Sequence, residues 1–292
     1  MEKYKVPNVI AEIGCNHRGE MDTARELIKM AAIFCKAPVV KFQKRTPREL
    51  LSPEQYNAPH PNPANAYGDT YGAHREYLEF SLEQHKQLMD YCEEFGVVYS
   101  TSVWDMTSAR EIASLKPKLI KIPSAMNTNK QMLQYLCDNY GGKIHISTGM
   151  STEGENDAIV ELFEKKKRAK DVVLYACTSG YPVPFDDVKL LDIPDLIKRY
   201  GSVVGEIGFS GHHLGIAIDI AAYALGATWI ERHFTLDRTW KGTDHAASLE
   251  PDGLRRLVRD LNATYLAMGC KDGKLLDIEI AQREKLKWRE KQ

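Results

Sequence analysis

The chain has no long apolar run, no paired-cysteine motif and almost no net charge. No stretch approaches the roughly 20 consecutive apolar residues of a membrane-spanning helix, so no membrane partner is expected. The six cysteines, at positions 15, 35, 92, 137, 177 and 270, form no C-x-x-C pair, which excludes zinc-finger and thioredoxin-type sites. Their spread reads as the reduced thiols of a cytoplasmic protein. Lys and Arg (39) balance Asp and Glu (40) to a formal charge of -1, which offers nothing to nucleic acid or to an anionic membrane surface. The N-terminal MEKYKVPNVI lacks the apolar stretch of a signal peptide, and no Gly-rich nucleotide loop follows the first strand-like segment.

What the chain does have is a rhythm. Its 292 residues, 43% hydrophobic and 27% charged, are enough for one large domain with a sizeable core. Short β-rich runs alternate with amphipathic runs. The expected strands are 9–14, 39–44, 97–103, 118–124, 143–150, 171–179, 202–211 and 228–235. The helical stretch after the first strand has Ala24, Leu27, Ile28 and Ala31 at helical spacing. Further helices are expected at 81–95, 129–138, from about Thr152, and at 186–200, 215–226 and 251–268. Ser81 and Gln84 have capping-box spacing, and Asp105 is placed to cap the helix after the third strand. Strict alternation of eight such units favours a TIM (β/α)8 barrel over an open doubly wound sheet. The barrel is expected to span 1–270, with a long insert near 46–80 rich in Pro, Asn, Tyr and Gly, and a charged, helix-prone tail at 271–292. A loop of that length inside a compact unit is usually functional.

Catalytic groups of such barrels come from the C-terminal ends of the strands. Lys41, Lys121, Ser124, Ser147 and Ser210 belong to five different strands yet should face one mouth. Two ammonium groups and three hydroxyls suit a small substrate carrying phosphate and carboxylate. The alternative is that each lysine snorkels or pairs with a carboxylate. Ser102, Ser179, Tyr181 and Asp244 lie at or just beyond strand ends too. His212 and His233, at the ends of adjacent strands, read as a ligand pair for a divalent metal; the competing reading is two satisfied core imidazoles. Glu12, on a buried strand, either neutralises a mouth lysine or handles a proton.

The ordered motifs AEIGCNHRG (11–19), VKFQK (40–44), KIPSA (121–125), STGM (147–150), CTSGYPVPFDDV (177–188), GFSGHHLG (208–215), ERHFTLDR (231–238) and GTDHAASLEP (242–251) resemble the sialic acid synthase family, the phosphoenolpyruvate-dependent nonulosonate synthases. They cover nearly the whole barrel. The resemblance implies condensation of phosphoenolpyruvate with an open-chain aldose, N-acetylmannosamine or a related sugar, to a 3-deoxy-2-ulosonic acid and phosphate. It assigns Lys41, Lys121, Ser124, Ser147, Ser210 and Ser102 to phosphoenolpyruvate. Ser179 stands at a position where the family carries Asn or Ser. His212 and His233 match the family's manganese ligands; on ligand type Co²⁺ or Mg²⁺ would also serve. Glu12 matches the acidic residue at the reacting centre, and Tyr181 and Asp244 match positions lining the sugar site. The chain departs from the family at Met126 and Gly211, where acidic residues are usual. The antifreeze-like domain that many members carry is expected to be absent. The insert is the expected substitute, with His74 and Arg75 placing a cation over the mouth. A homo-oligomer is expected. The competing functions are a Schiff-base aldolase on Lys41 or Lys121, a metal-dependent hydrolase and a non-catalytic sugar-binding barrel.

Overall fold

The computed structural model describes residues 4–289; the outermost three residues at each end of the ranges above lie outside it. Eight strands, β1 Asn8–Gly14, β2 Val39–Lys44, β3 Val98–Val103, β4 Leu119–Ile122, β5 Lys143–Ser147, β6 Val172–Cys177, β7 Glu206–Gly211 and β8 Trp229–His233, close into a barrel in sequence order. Every neighbouring pair is parallel, β8 closing on β1. The expected (β/α)8 barrel is therefore the fold. No helix of the described residues is long and apolar enough to cross a membrane.

Two cores follow from the period-2 alternation of side chains along a strand. Outward positions such as Val9, Ala11, Val40, Phe42 and Ile120 pack under the surrounding helices, against Leu27, Leu88, Ile112 and Leu257. Inward positions Ile10, Val39, Leu119, Val173, Tyr175 and Trp229 form a separate plug inside the barrel. The next inward residues up the strands are polar. Glu12 follows Ile10, Lys41 follows Val39, Lys121 follows Leu119, Cys177 follows Tyr175, and Glu231 and His233 follow Trp229. The apolar plug is thus the floor on which the polar mouth stands.

Several expected boundaries move. The strands stop sooner than their apolar runs suggest: the expected 143–150 ends at Ser147, 171–179 at Cys177, and 202–211 starts only at Glu206. The helix expected over 186–200 is Asp192–Tyr200, preceded by a single 3-10 turn at Phe185–Asp187. Pro182 and Pro184 keep the chain extended there. The tail holds an exposed helix, Asp277–Leu286. The capping roles of Ser81 and Asp105 hold: Ser81 Oγ accepts the Gln84 N–H at 3.2 Å, and Asp105 Oδ1 accepts the Ser108 N–H at 2.7 Å.

The 46–80 insert is not one long loop. It folds as short helices Pro47–Leu50, Pro53–Asn57 and Tyr71–Tyr77 and a 3-10 turn Pro63–Asn65. Side-chain caps stand in for apolar periodicity: Ser52, Asn62 and Thr70 each accept a backbone N–H at a helix start. Tyr67 Oη donates to the Lys241 carbonyl at 2.5 Å, tying the insert to the loop after β8.

Candidate active site

A cavity of about 550 Å³ opens at the C-terminal ends of the strands. Glu12, Lys41, Arg75, Ser102, Lys121, Ser124, Ser147, Ser179, Tyr181, Ser210, His212, His233 and Asp244 all line it. Register explains the convergence. Glu12 stands beside both Lys41 and His233, Ser102 beside Lys121, and Ser210 beside Glu231. Gly14 ends β1 with φ +56, a left-handed conformation glycine adopts without a Cβ penalty, and a Cβ there would lie 3.0 Å from Gln43 Nε2.

The charges on the floor are paired. Lys41 Nζ lies 2.6 Å from Glu12 Oε2 and donates to Ser102 Oγ at 2.7 Å. Lys121 Nζ donates to Glu231 Oε2 at 3.0 Å, and Ser210 Oγ donates to the other oxygen at 3.1 Å. Lys41 also lies 3.7 Å from Glu231, which links the two pairs. Gln43 Nε2 donates to Glu12 Oε1 at 3.0 Å. All four charged groups are buried. Burial raises the Glu12 carboxyl above its ordinary value against the pull of Lys41 and His233. Burial also works to raise Glu231, but Lys121 and Lys41 outweigh it and hold that carboxyl well down. Burial lowers the Lys121 ammonium. The pairing of lysines with carboxylates, weighed above as the alternative to anion binding, is thus present. An incoming anion meets a pre-neutralised floor and must share its lysines with Glu12 and Glu231.

Above the floor stand hydroxyls. Gly149 sits between Ser124 and Ser179: a Cβ at 149 would come within 2.6 Å of both Oγ atoms, so only glycine leaves that space open. His212 and His233 have ring centroids 5.5 Å apart, and Tyr181 covers them at 4.5 and 5.9 Å. His212 Nδ1–H donates to the Thr178 carbonyl at 3.1 Å, which leaves Nε2 with its lone pair. Burial, reinforced by His233, lowers His212 to about 3, so it is a neutral imidazole at ordinary pH. His233 Nδ1 is buried without a hydrogen-bond partner. No group of three or more His, Cys, Asp or Glu side chains with metal-binding geometry occurs among the described residues. Two imidazoles, one oriented and neutral and the other with an orphaned nitrogen, fit a sparsely liganded divalent ion with positions left for other oxygens.

The insert supplies the lip, where His60, Asn62, Tyr71, His74 and Arg75 line the cavity. Arg75 Nε donates to Tyr71 Oη at 3.0 Å, and no carboxylate of the described residues lies within 4.0 Å of its guanidinium. Arg45, by contrast, is buried and donates to Glu79 at 2.5 Å. Burial works to raise Asp244, but His233 and Arg45 leave it below its ordinary value.

Some strand-end polar residues point elsewhere. Asn16 donates to the Phe234 carbonyl at 2.8 Å and fastens the loop after β8. His17 stacks on Phe80 at 4.1 Å. His213 is buried against Asp219 and Arg232. A Cβ at Gly211 would lie 2.8 Å from His213 and from Phe209, a local reason for glycine there. Gln43, Arg45, Glu231, His60 and Asn62 line the cavity as well. Gln43 and Glu231 lie two positions from Lys41 and His233, the spacing that makes them legible as mouth residues; the insert residues carry no such signal.

Fold and site together define a barrel enzyme whose mouth is lined by paired lysines, serine hydroxyls and two histidines. The chain belongs to the NeuB family, whose model matches residues 27–273, as the ordered motifs implied. It is 37% identical to human N-acetylneuraminate-9-phosphate synthase over 95% of this chain and 76% of that one. It is 34% identical to N,N'-diacetyllegionaminic acid synthase of Campylobacter jejuni over 89% of this chain and 77% of that one. Among solved structures it is similar to the N-acetylneuraminic acid synthetase of Leptospira borgpetersenii, with a TM-score of 0.80, 27% identity and coverage of 98% and 94%.

Proposed function

We propose that this chain condenses phosphoenolpyruvate with an aldose, N-acetylmannosamine or a close relative, to a sialic-acid-like 3-deoxy-2-ulosonic acid. One observation carries the reading: two compensated lysines, a set of serine hydroxyls and a bare imidazole pair meet in one cavity. Lys41 and Lys121 hold the phosphate and carboxylate of phosphoenolpyruvate, and Ser102, Ser124, Ser147, Ser179 and Ser210 fix its orientation. Carbon 3 forms the new bond to the aldehyde carbon of the sugar. Water then adds at carbon 2, and the bond from carbon 2 to the phosphate oxygen breaks, releasing phosphate. Glu12, its carboxyl raised by burial and set between Lys41 and His233, is placed to exchange a proton with that water or with the sugar oxygen. Tyr181, Asp244 and Arg75 line the sugar's end of the cavity.

His212 and His233 would hold the divalent ion, Mn²⁺ foremost, with Co²⁺ or Mg²⁺ as alternatives; when bound, it supplies Lewis acidity toward the sugar aldehyde. The apolar side chains Leu266, Ile278, Leu286 and Trp288, all highly exposed, support the expectation of a homo-oligomer, which sedimentation would read. The unpaired thiols support the expected cytoplasmic location. The direct test is a panel of aldoses incubated with phosphoenolpyruvate and Mn²⁺, with products identified by mass spectrometry. The expected product has the mass of aldose plus pyruvate, with one phosphate released per product. Consumption of phosphoenolpyruvate with no aldose of the panel would overturn the reading.

A further inference from the structure

We propose that Tyr175 is a positioning residue for the phosphoenolpyruvate site, its ring forming the platform that holds the Lys121 ammonium at the cavity floor. The inference rests on the phosphoenolpyruvate reading above and adds a residue that does not itself line the cavity.

Lys121 Nζ sits 3.7 Å from the centroid of the Tyr175 ring. Both side chains are buried, at 1% and 0% exposure, and an ammonium facing an aromatic ring is held more tightly once water is excluded. The ring is itself fixed. The Tyr175 hydroxyl is 2.8 Å from His145 Nδ1, and His145 meets Trp229 edge-on with centroids 4.6 Å apart. On the other side, Gly208 stands opposite Tyr175 in the β6–β7 register, and a Cβ at 208 would lie 2.6 Å from Tyr175 Cε1. The barrel has thus made room for this ring in this place. Glu231, Lys41, Cys177 and His145 are the other titratable groups around Lys121. Of its three N–H donors, one goes to Glu231 and the ring face closes another side, so a donor is left for the cavity. Without the ring, a flexible four-carbon stem has nothing beneath it and that donor loses its direction.

The test is calorimetric binding of phosphoenolpyruvate, together with steady-state KM values for both substrates, on the full chain. Tyr175→Leu should weaken phosphoenolpyruvate binding by roughly tenfold. It should leave the KM for the aldose within about twofold, a split that general loosening of the barrel would not give. Tyr175→Phe, which keeps the ring, should recover affinity to within about threefold. Gly208→Ala displaces the ring and should act in the same direction as Tyr175→Leu, which covers the case where the leucine variant does not fold. A folded Tyr175→Leu or Gly208→Ala that binds phosphoenolpyruvate like the natural chain overturns the inference, as does a Tyr175→Phe no better than leucine. A natural chain that does not bind phosphoenolpyruvate overturns the underlying reading with it, and that result is visible before any variant is made.

Discussion

On the β4–β7 side of the cavity, the polar groups stand on strand ends or in the first turn beyond them, with Lys121 over Leu119 and Cys177 over Tyr175 of the inner plug. On the side where β8, β1 and β2 meet the insert, Tyr71 and Arg75 hang from the short capped helix Tyr71–Tyr77, and His60 and Asn62 from the link before the 3-10 turn Pro63–Asn65. The strand side is positioned by a closed hydrogen-bonded barrel. The insert side is positioned by a few local caps and two hydrogen bonds to the loop after β8, from Tyr67 Oη to the Lys241 carbonyl and from the Gly242 N–H to Asn65 Oδ1. The first arrangement suits a substrate held the same way in every turnover. The second suits the part of a site where an acceptor is chosen, because its loops can change without disturbing the barrel.

The comparison breaks most sharply at the floor. Lys121→Met should lower kcat/KM for phosphoenolpyruvate by about a thousandfold or more, since it removes a donor and leaves Glu231 buried with the Ser210 hydroxyl and the longer contact to Lys41. It should also cost about 3 kcal/mol of stability, the lower end of the penalty for breaking a buried pair, because Lys41 and Ser210 still face Glu231. Urea unfolding and steady-state kinetics check both. If the lysine were an ordinary surface pair, the stability change would stay below about 1 kcal/mol.

The imidazole pair comes next. Chelation should reduce turnover by about a hundredfold, with recovery on adding Mn²⁺. His233→Ala should abolish saturable binding of that ion in a metal titration. Turnover unaffected by thorough chelation would return His212 and His233 to the status of satisfied core groups. Borohydride added with phosphoenolpyruvate or a keto acid should leave no covalent adduct on Lys41 or Lys121; an adduct would favour the Schiff-base alternative.

The strand side was the more legible one from sequence, for a physical reason. Alternation along a strand ties Lys41 to Val39 and Lys121 to Leu119, so finding the apolar run locates the mouth residue two places on. The same rule, applied strictly, excludes Thr101, one position from Ser102; Asn16 has the parity of Glu12 but lies past the end of β1 and turns to the Phe234 carbonyl instead of lining the cavity. Pairing was harder to see. That Glu231 rather than any nearer carboxylate meets Lys121 depends on β8 lying across the barrel from β4, a separation of 110 residues in sequence. No segment of the insert is long enough to show a 3.6-residue period, so the sequence marks it only as loop. Its order comes from Ser52, Asn62 and Thr70, single residues whose capping role is plain only once the helix starts are known.

Arg75 sharpens the comparison with a smaller effect. It is held by Tyr71 and has no carboxylate partner within reach, so its charge is available to a substrate. Arg75→Ala should raise the KM for the aldose by roughly tenfold, as loss of a hydrogen bond from a charged group does, and leave that for phosphoenolpyruvate within twofold. Equal constants for both substrates in variant and natural chain would remove Arg75 from the site.

The smallest effect is expected at the tether. Tyr67→Phe removes the hydrogen bond to the Lys241 carbonyl while keeping the ring, which stacks on Tyr77 at 5.1 Å. The loss should be about 1 kcal/mol, confined to how the insert sits on the loop after β8. The KM for the aldose should rise two- to threefold, global stability should barely change, and amide exchange should quicken in residues 60–75 and 240–245 but not in the strands. Quickening that spread into β4–β7 would mean that the two sides of the cavity are one cooperative unit, and the distinction between a fixed floor and an adjustable lip would fall.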